Sequence, residues 1–337
     1  MKISSARARN LQLPSPPWEW PTLPPPIPMD ALGGEFKIHT HEFLKPDGIN
    51  HGPFPLIAVG GGGRTTDVIH THSQQGDPEA WQKFKFWADS ATRQYYAFQT
   101  ANGNFITANE GGGRITNTIF SVATDVRAWE MFKLLPQSPF SCWAIQTLKG
   151  YFLTAVGGGG HPNSADDGSD TIHTDALNVA EWERFDIWRG SDFGTGSTYA
   201  IHAITVTSGL LTATAGGRLS GLTGGWPPLV LDGGPPFWIS WTLLKQSDGT
   251  YAFQTASGGI LTANGGGLPG EGFRTDTETD QIGNWEKFTL VDNGDFTAYI
   301  KTHAGTYLSS SGGSPNTAIA VTDVSRAIKW QFQVLGL

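Results

Sequence analysis

One pattern recurs six times between residues 36 and 337, and no other feature constrains the fold as strongly. It reads apolar-Gln-Thr, a glycine, apolar-apolar-Thr-Ala, a run of glycines, Thr-Asp, then Trp-Glu-x-Phe. The clearest copy has Phe98-Gln99-Thr100, Gly103, Phe105-Ile106-Thr107-Ala108, Gly111-Gly112-Gly113, Thr124-Asp125 and Trp129-Glu130-Met131-Phe132. Repeat three starts at Ile145-Gln146-Thr147 and ends at Trp182-Glu183-Arg184-Phe185, and repeat five runs from Phe253-Gln254-Thr255 to Trp285-Glu286-Lys287-Phe288. Repeats one, four and six are degenerate. Repeat one has Ile38-His39-Thr40, an insertion over residues 45–52, and Trp81-Gln82-Lys83-Phe84. Repeat four has Ile201-His202, Leu210-Leu211-Thr212-Ala213 and Trp238-Ile239-Ser240-Trp241. Repeat six has Ile300-Lys301-Thr302, Tyr307-Leu308, Thr322-Asp323 and a shortened Trp330-Gln331-Phe332. The closing tryptophans, Trp81, Trp129, Trp182, Trp238, Trp285 and Trp330, are spaced by 48, 53, 56, 47 and 45 residues.

Each repeat reads as four short strands. Tyr96 to Thr100 alternates with period two, and Asn102-Gly103 is a hairpin turn into the next strand. The glycine run is a tight loop where side chains would obstruct the backbone. A third strand ends at Thr-Asp, and the fourth is expected to start at the closing Trp, with that ring in the core. No stretch keeps a 3.6-residue period, so helix should be scarce. The chain has 44 Gly, 21 Pro and 13 Trp with only 15 % charged residues, the composition that many strands joined by turns require. A unit of this size cannot bury its apolar face alone, so repeats must share a core. Closure in threes gives two β-trefoils. Six blades of a propeller fit the period equally well.

The motif separates the two. Gly103-Asn104-Phe105-Ile106-Thr107-Ala108, Gly111 to Gly113 and Trp129-Glu130-Met131-Phe132 resemble the repeat of the fascin-like β-trefoil family. The resemblance covers roughly residues 36–337 and is strongest in repeats two, three and five. It implies an all-β chain of two tandem β-trefoils, residues 34–192 and 193–337, preceded by an extended arm over residues 1–33. Members of the family bundle actin, bind carbohydrate as appendages of glycoside hydrolases, or act as lectin-like modules. The arm carries Pro16-Pro17-Trp18-Glu19-Trp20-Pro21 and Pro24-Pro25-Pro26, which favour polyproline II. It is read as a strap that lays Trp18 and Trp20 on the trefoils.

A net charge of −8 argues against a fold-wide grip on nucleic acid or anionic lipid. No apolar run approaches the ~20 residues of a membrane helix. The single cysteine, Cys142, rules out an intrachain disulfide framework. With no visible signal peptide, the expected location is the cytoplasm, with export by a non-classical route as the alternative. The sequence implies no cofactor. Gly265 to Gly270 matches the dinucleotide fingerprint, but Pro269 interrupts it and no helix pattern follows.

The function expected first is carbohydrate binding in loop pockets. Trp226 lies in an insertion of repeat four with no counterpart elsewhere, and a loop aromatic can stack on a sugar. Arg64, Arg114 and Arg218 follow glycine runs and could fork to hydroxyls. Asp125 and Asp175 occupy the Thr-Asp slot, where a carboxylate could bind sugar hydroxyls or simply close a turn. The alternative is an enzyme. Five of the nine histidines fall in repeat one, and His39/His41 and His70/His72 are i, i+2 pairs on expected strands. Each pair leaves one face, so two adjacent pairs could hold Zn²⁺ or supply acid and base groups. A third reading, an actin or protein crosslinker, follows from the family resemblance alone.

Overall fold

The computed structural model describes residues 25–44, 50–72, 77–138, 141–165, 168–204, 209–217, 229–231, 235–277, 281–312 and 317–337. These form short antiparallel strands, a set of 3-10 turns and a single four-residue α-helix, Pro236–Ile239. Among the described residues no helix is long and apolar enough to cross a membrane.

The first and last strands of the repeats pair in a ring. Lys85–Asp89 of repeat one pairs with Tyr96–Gln99 of repeat two. Phe132–Gln137 of repeat two pairs with Cys142–Thr147 of repeat three, from Phe132 opposite Thr147 to Gln137 opposite Cys142. Arg184–Arg189 of repeat three returns to Phe36–Thr40 of repeat one. That ring is closed by sequence, since the same apolar slot faces inward in every copy. Its axis holds a void of about 20 Å³ lined by Ile38, Leu56, Ile69, Ile106, Ile145 and Leu153, among others. The second half repeats the arrangement. Ser240–Lys245 pairs with Tyr251–Thr255, Thr289–Asp292 with Ala298–Lys301, and Lys329–Gly336 with Thr198–Ile204. Ring closure leaves few free sheet edges.

The middle strands form hairpins across the ring ends, as in Phe105–Ala108 with Ile119–Ala123. The glycine runs tie each repeat to the next. Gly63 N–H donates to the Ser121 carbonyl (2.7 Å), Gly113 to Thr174 (2.6 Å) and Gly160 to Thr71 (3.0 Å), which makes a closed cycle of one to two to three to one. In repeats one to five, one glycine of the run also lies on the Thr of the Gln-Thr slot in the adjoining repeat. A Cβ on Gly62 would sit 2.2 Å from Thr100 Oγ1, and one on Gly267 2.4 Å from Thr302 Oγ1. Both have positive φ, 104° and 91°, so two constraints select glycine there. The Gln of that pair is structural as well: Gln99 and Gln146 Nε2 donate to the carbonyls of Gly103 (2.8 Å) and Gly150 (3.0 Å), closing their own hairpins.

Two sequence expectations need correction. The closing Trp was expected in the core, but Trp129, Trp182 and Trp285 are 46, 41 and 44 % exposed. Trp129 and Trp285 begin no strand; they sit in the 3-10 turns Ala128–Glu130 and Asn284–Glu286. In all three motifs the Glu folds inward instead. Glu130, Glu183 and Glu286 are buried and accept the N–H three residues back, from Arg127 (2.9 Å), Ala180 (2.8 Å) and Gly283 (2.9 Å). Glu130 also accepts the Thr107 hydroxyl (2.7 Å). With Glu inside and Phe132, Phe185 and Phe288 fully buried, the Trp side of the turn faces outward. Second, Trp330 does not close a shortened motif. Its Cα lies opposite Ala298 as that of Phe132 lies opposite Tyr96, so Trp330 fills the buried Phe slot and repeat six has no outward Trp. The described end of the leading segment joins the sheet: Met29–Ala31 pairs with Asp89 to Trp87, and Ile27 and Met29 pack beside Val126 and Met131. Trp18 and Trp20 lie outside the described residues.

The two rings meet along one seam. Trp188 and Arg189 pair with Gln333 and Phe332, and Trp143 Nε1 donates to the Val334 carbonyl (2.7 Å). On another face Phe296 of repeat six, at φ 64°, is buried against Gly190 beneath the ammonium of Lys37 (4.5 Å from the ring centre).

Candidate functional site

The four repeat-one histidines separate. His39 and His41 face the seam. His41 Nδ1 is 3.0 Å from Asp186 Oδ1, and Asp186 also accepts from Gln333 Nε2 (2.8 Å). Gln333 in turn is 2.9 Å from His202 Nε2. His39 packs toward Trp188, with its Nε2 buried and unpartnered. His70 is buried with Nε2 2.6 Å from Asp67, and exposed His72 meets the Phe54 ring edge-on. Among the described residues no group of three or more His, Cys, Asp or Glu is arranged to hold a metal ion. Cys142 is buried, and burial pushes its thiol up to about 12.

The seam histidines make the fold acid-sensitive. Burial, and then the charge on Lys37, pull His39 down to about 4, and burial also lowers His202. The unfolded chain therefore binds protons that the folded chain refuses. Stability is full above the unfolded value of about 6.5 and is lost as pH falls toward 4, by about 3 kcal/mol for His39. Thermal unfolding from pH 7 to 4 should show this loss. His39→Gln, which restores the residue of the Gln99 and Gln146 slots, should flatten the profile; an unchanged profile would exclude His39 as the cause.

The arginines and aspartates of the sequence reading do not converge. Arg64 folds onto its own loop, with Nε donating to the Thr66 carbonyl (3.2 Å) and Nη2 3.3 Å from Asp67. Arg114 does the same, to Thr116 (3.2 Å) and Glu110 (2.9 Å). Their backbones dock on Ser121 and Thr174 of the next repeat. Asp125 is exposed, and Asp175 is exposed 4.0 Å from His173 Nδ1. Arg218 and Trp226 lie outside the described residues.

What the fold brings together instead is a pair of related grooves beside closing-Trp turns. Between repeats five and six, Asp248, Thr250, Asn284, Lys287, Thr289, Lys301 and His303 line a groove of about 430 Å³. Asn284 lines the groove, and Trp285 is the next residue in sequence. The Trp285 ring is exposed. It occupies the side-chain space of Gly266, where a Cβ would come within 3.1 Å. The Gly266 carbonyl accepts the N–H of Ala304, next to His303. Asp248 accepts the Thr250 hydroxyl (2.5 Å) and pairs with Lys287 (2.9 Å), contacts that hold its carboxyl well below the usual range. The corresponding groove of about 230 Å³ between repeats one and two is lined by Glu35, Ala80, Lys83, Lys85, Gln99 and Ala101. There, alanines replace Asn284 and His303.

No protein-family model matches the chain, and no curated protein matches it. Solved structures similar to this chain in part include the following three. A mosquitocidal holotoxin is 10 % identical over 90 % of this chain, with a TM-score of 0.34; the match spans 34 % of the holotoxin chain. A designed three-fold symmetric protein, ThreeFoil, is 17 % identical over 40 % of this chain and 97 % of its own, with a TM-score of 0.34. A Polyporus squamosus lectin, solved with a human-type influenza-binding sialoglycan epitope, is 18 % identical over 42 % of this chain and 50 % of its own, with a TM-score of 0.35.

The outward tryptophans escaped the sequence reading because a residue repeated in register was taken for core. The groove residues did carry a signal. Lys301-Thr302-His303 stands where other repeats have Gln99-Thr100-Ala101 and Gln254-Thr255-Ala256.

Proposed function

We propose that the chain is two tandem fascin-like β-trefoils, residues 34–192 and 193–337, led by an arm over residues 1–33, and that it binds carbohydrate on outward tryptophans. The observation that carries the reading is the exposure of three indoles, Trp129, Trp182 and Trp285, at one slot of three repeats. The two closed strand rings support the trefoil assignment. An exposed indole is costly to leave bare, and its flat face matches the apolar face of a pyranose ring. Turn backbone and Asn, Thr and Gly side chains nearby supply hydrogen bonds suited to hydroxyls, as in other concave sites with few convergent polar groups.

A glycan array read with the intact protein tests this, followed by titration of each binder against Trp129→Ala, Trp182→Ala and Trp285→Ala. Loss of the ring at an occupied platform should weaken binding by about tenfold or more, equivalent to about 1.4 kcal/mol. A protein that binds no glycan, or binds one equally well in all three variants, would remove the proposal.

A further inference from the structure

The groove between repeats five and six differs from its counterpart in carrying an imidazole and an amide where the other has alanines, and in the place of its second lysine. Lys301 replaces the Gln that elsewhere closes the hairpin, as Gln99 does on Gly103 (2.8 Å). Its ammonium lies 5.8 Å from the centre of the Tyr307 ring and makes no salt bridge among the described residues. Lys287, the other lysine of the groove, is paired with Asp248 (2.9 Å). His303 is exposed on the same hairpin. The lining therefore holds one compensated ion pair plus an uncompensated ammonium and an imidazole, in a protein whose net charge is −8. Neutral hydroxyls require none of this. A fixed cation beside an indole suits a ring that carries an anionic substituent. The groove between repeats one and two also holds a paired lysine, Lys83 with Glu35 (3.2 Å), and a second lysine, Lys85; it differs in having alanines in place of Asn284 and His303.

We propose that the groove between repeats five and six is a site for an acidic sugar. The sugar ring would stack on Trp285, and its carboxylate or sulfate would face Lys301 and His303. Asn284 and Thr250 are placed to take hydroxyls. This inference rests on the carbohydrate reading above and adds the ligand's charge and its location.

The test is calorimetric titration of the whole protein with three oligosaccharides that share a backbone and differ at one position: a hydroxymethyl, a carboxylate or a sulfate ester. Inorganic sulfate is the fourth probe. The wild type should bind the two acidic sugars at least tenfold more tightly than the neutral one, with a preference that shrinks as salt rises. Lys301→Gln restores the residue of repeats two, three and five. It should erase the preference, bringing the acidic sugars to the affinity of the neutral one measured on the same variant. Trp285→Ala should weaken all three sugars alike. Comparison of the two acidic arms identifies which anion the site takes. Equal affinity for neutral and acidic sugars, or a preference that survives Lys301→Gln, would overturn the acidic-sugar assignment and leave carbohydrate binding standing. Inorganic sulfate binding as tightly as the sulfated sugar would also overturn it, because the site would then recognise a bare anion. Binding of none of the sugars would remove both proposals.

Discussion

Gly267→Ala should destabilise the protein by about 4 kcal/mol, and Gly258→Ala in the same repeat by about 1 kcal/mol. Both glycines have positive φ, 91° and 90°, so backbone strain on gaining a Cβ is the same. Their surroundings differ. Nothing lies within 4 Å of a Cβ at Gly258, whereas at Gly267 it would meet Thr302 Oγ1 at 2.4 Å, Cβ at 2.5 Å and Cγ2 at 2.7 Å. Thr302 cannot step aside. It is buried, its hydroxyl is 2.6 Å from that of Thr306, and Thr306 donates to the Gly267 carbonyl (2.6 Å). The clash therefore pushes repeats five and six apart along the face that forms the groove. Urea denaturation of the two variants is the measurement. Equal midpoints would mean that strain alone selects glycine here, and that the approach between repeats has room to relax.

Arg189→Met should cost about 3–5 kcal/mol, because it strips charged donors from buried acceptors. The Arg189 side chain is buried at the seam, where Nη2 donates to the carbonyls of Leu32 (2.8 Å), Gly33 (3.3 Å) and Asp192 (2.6 Å), and Nη1 to Tyr199 Oη (3.3 Å). Its guanidinium also covers the Phe36 ring, 4.9 Å from the centre. One side chain thus joins the segment after the first strand, the connection between the rings and the first strand of repeat four. Arg189→Lys should recover little, since an ammonium lacks the second nitrogen that donates to Tyr199 and the planar face that covers Phe36. We expect denaturation of both variants to lose cooperativity, with the halves melting in separate steps. A lysine variant within 1 kcal/mol of wild type would show that charge alone, without the planar fork, holds the seam.

The division between what was legible and what was not follows the repeat. Residues that serve each unit's own geometry recur, and recurrence marks them: the Gln that closes a hairpin, the Thr under a glycine, the buried Phe. The all-β class and the shared core of the repeats could be read from them directly. The direction of the closing Trp could not. Trp129 and Phe132 are both large and both recur, and only the inward fold of Glu130 onto Arg127 and Thr107 decides which ring is buried. Trp330 shows the converse, because its partner Ala298, not its residue type, identifies the slot it fills. Histidine spacing misled for a related reason: an i, i+2 pair shares a face, but which face meets which is set by strands from other repeats. His41 reached Asp186, and His70 reached Asp67.

The sixfold pattern by itself therefore determined that this chain is built of short strands and glycine turns around shared cores, since period-two alternation and positive-φ glycines are local properties. Only the tertiary structure decided which tryptophans face water, which histidines are sealed in the seam and that Lys301 has no carboxylate partner among the described residues. The seam histidines depend on neighbours more than forty residues away in sequence, whose approach is set by ring closure and by the packing of one repeat's glycines on the next repeat's threonine, and the tryptophans depend on the inward fold of the adjacent Glu.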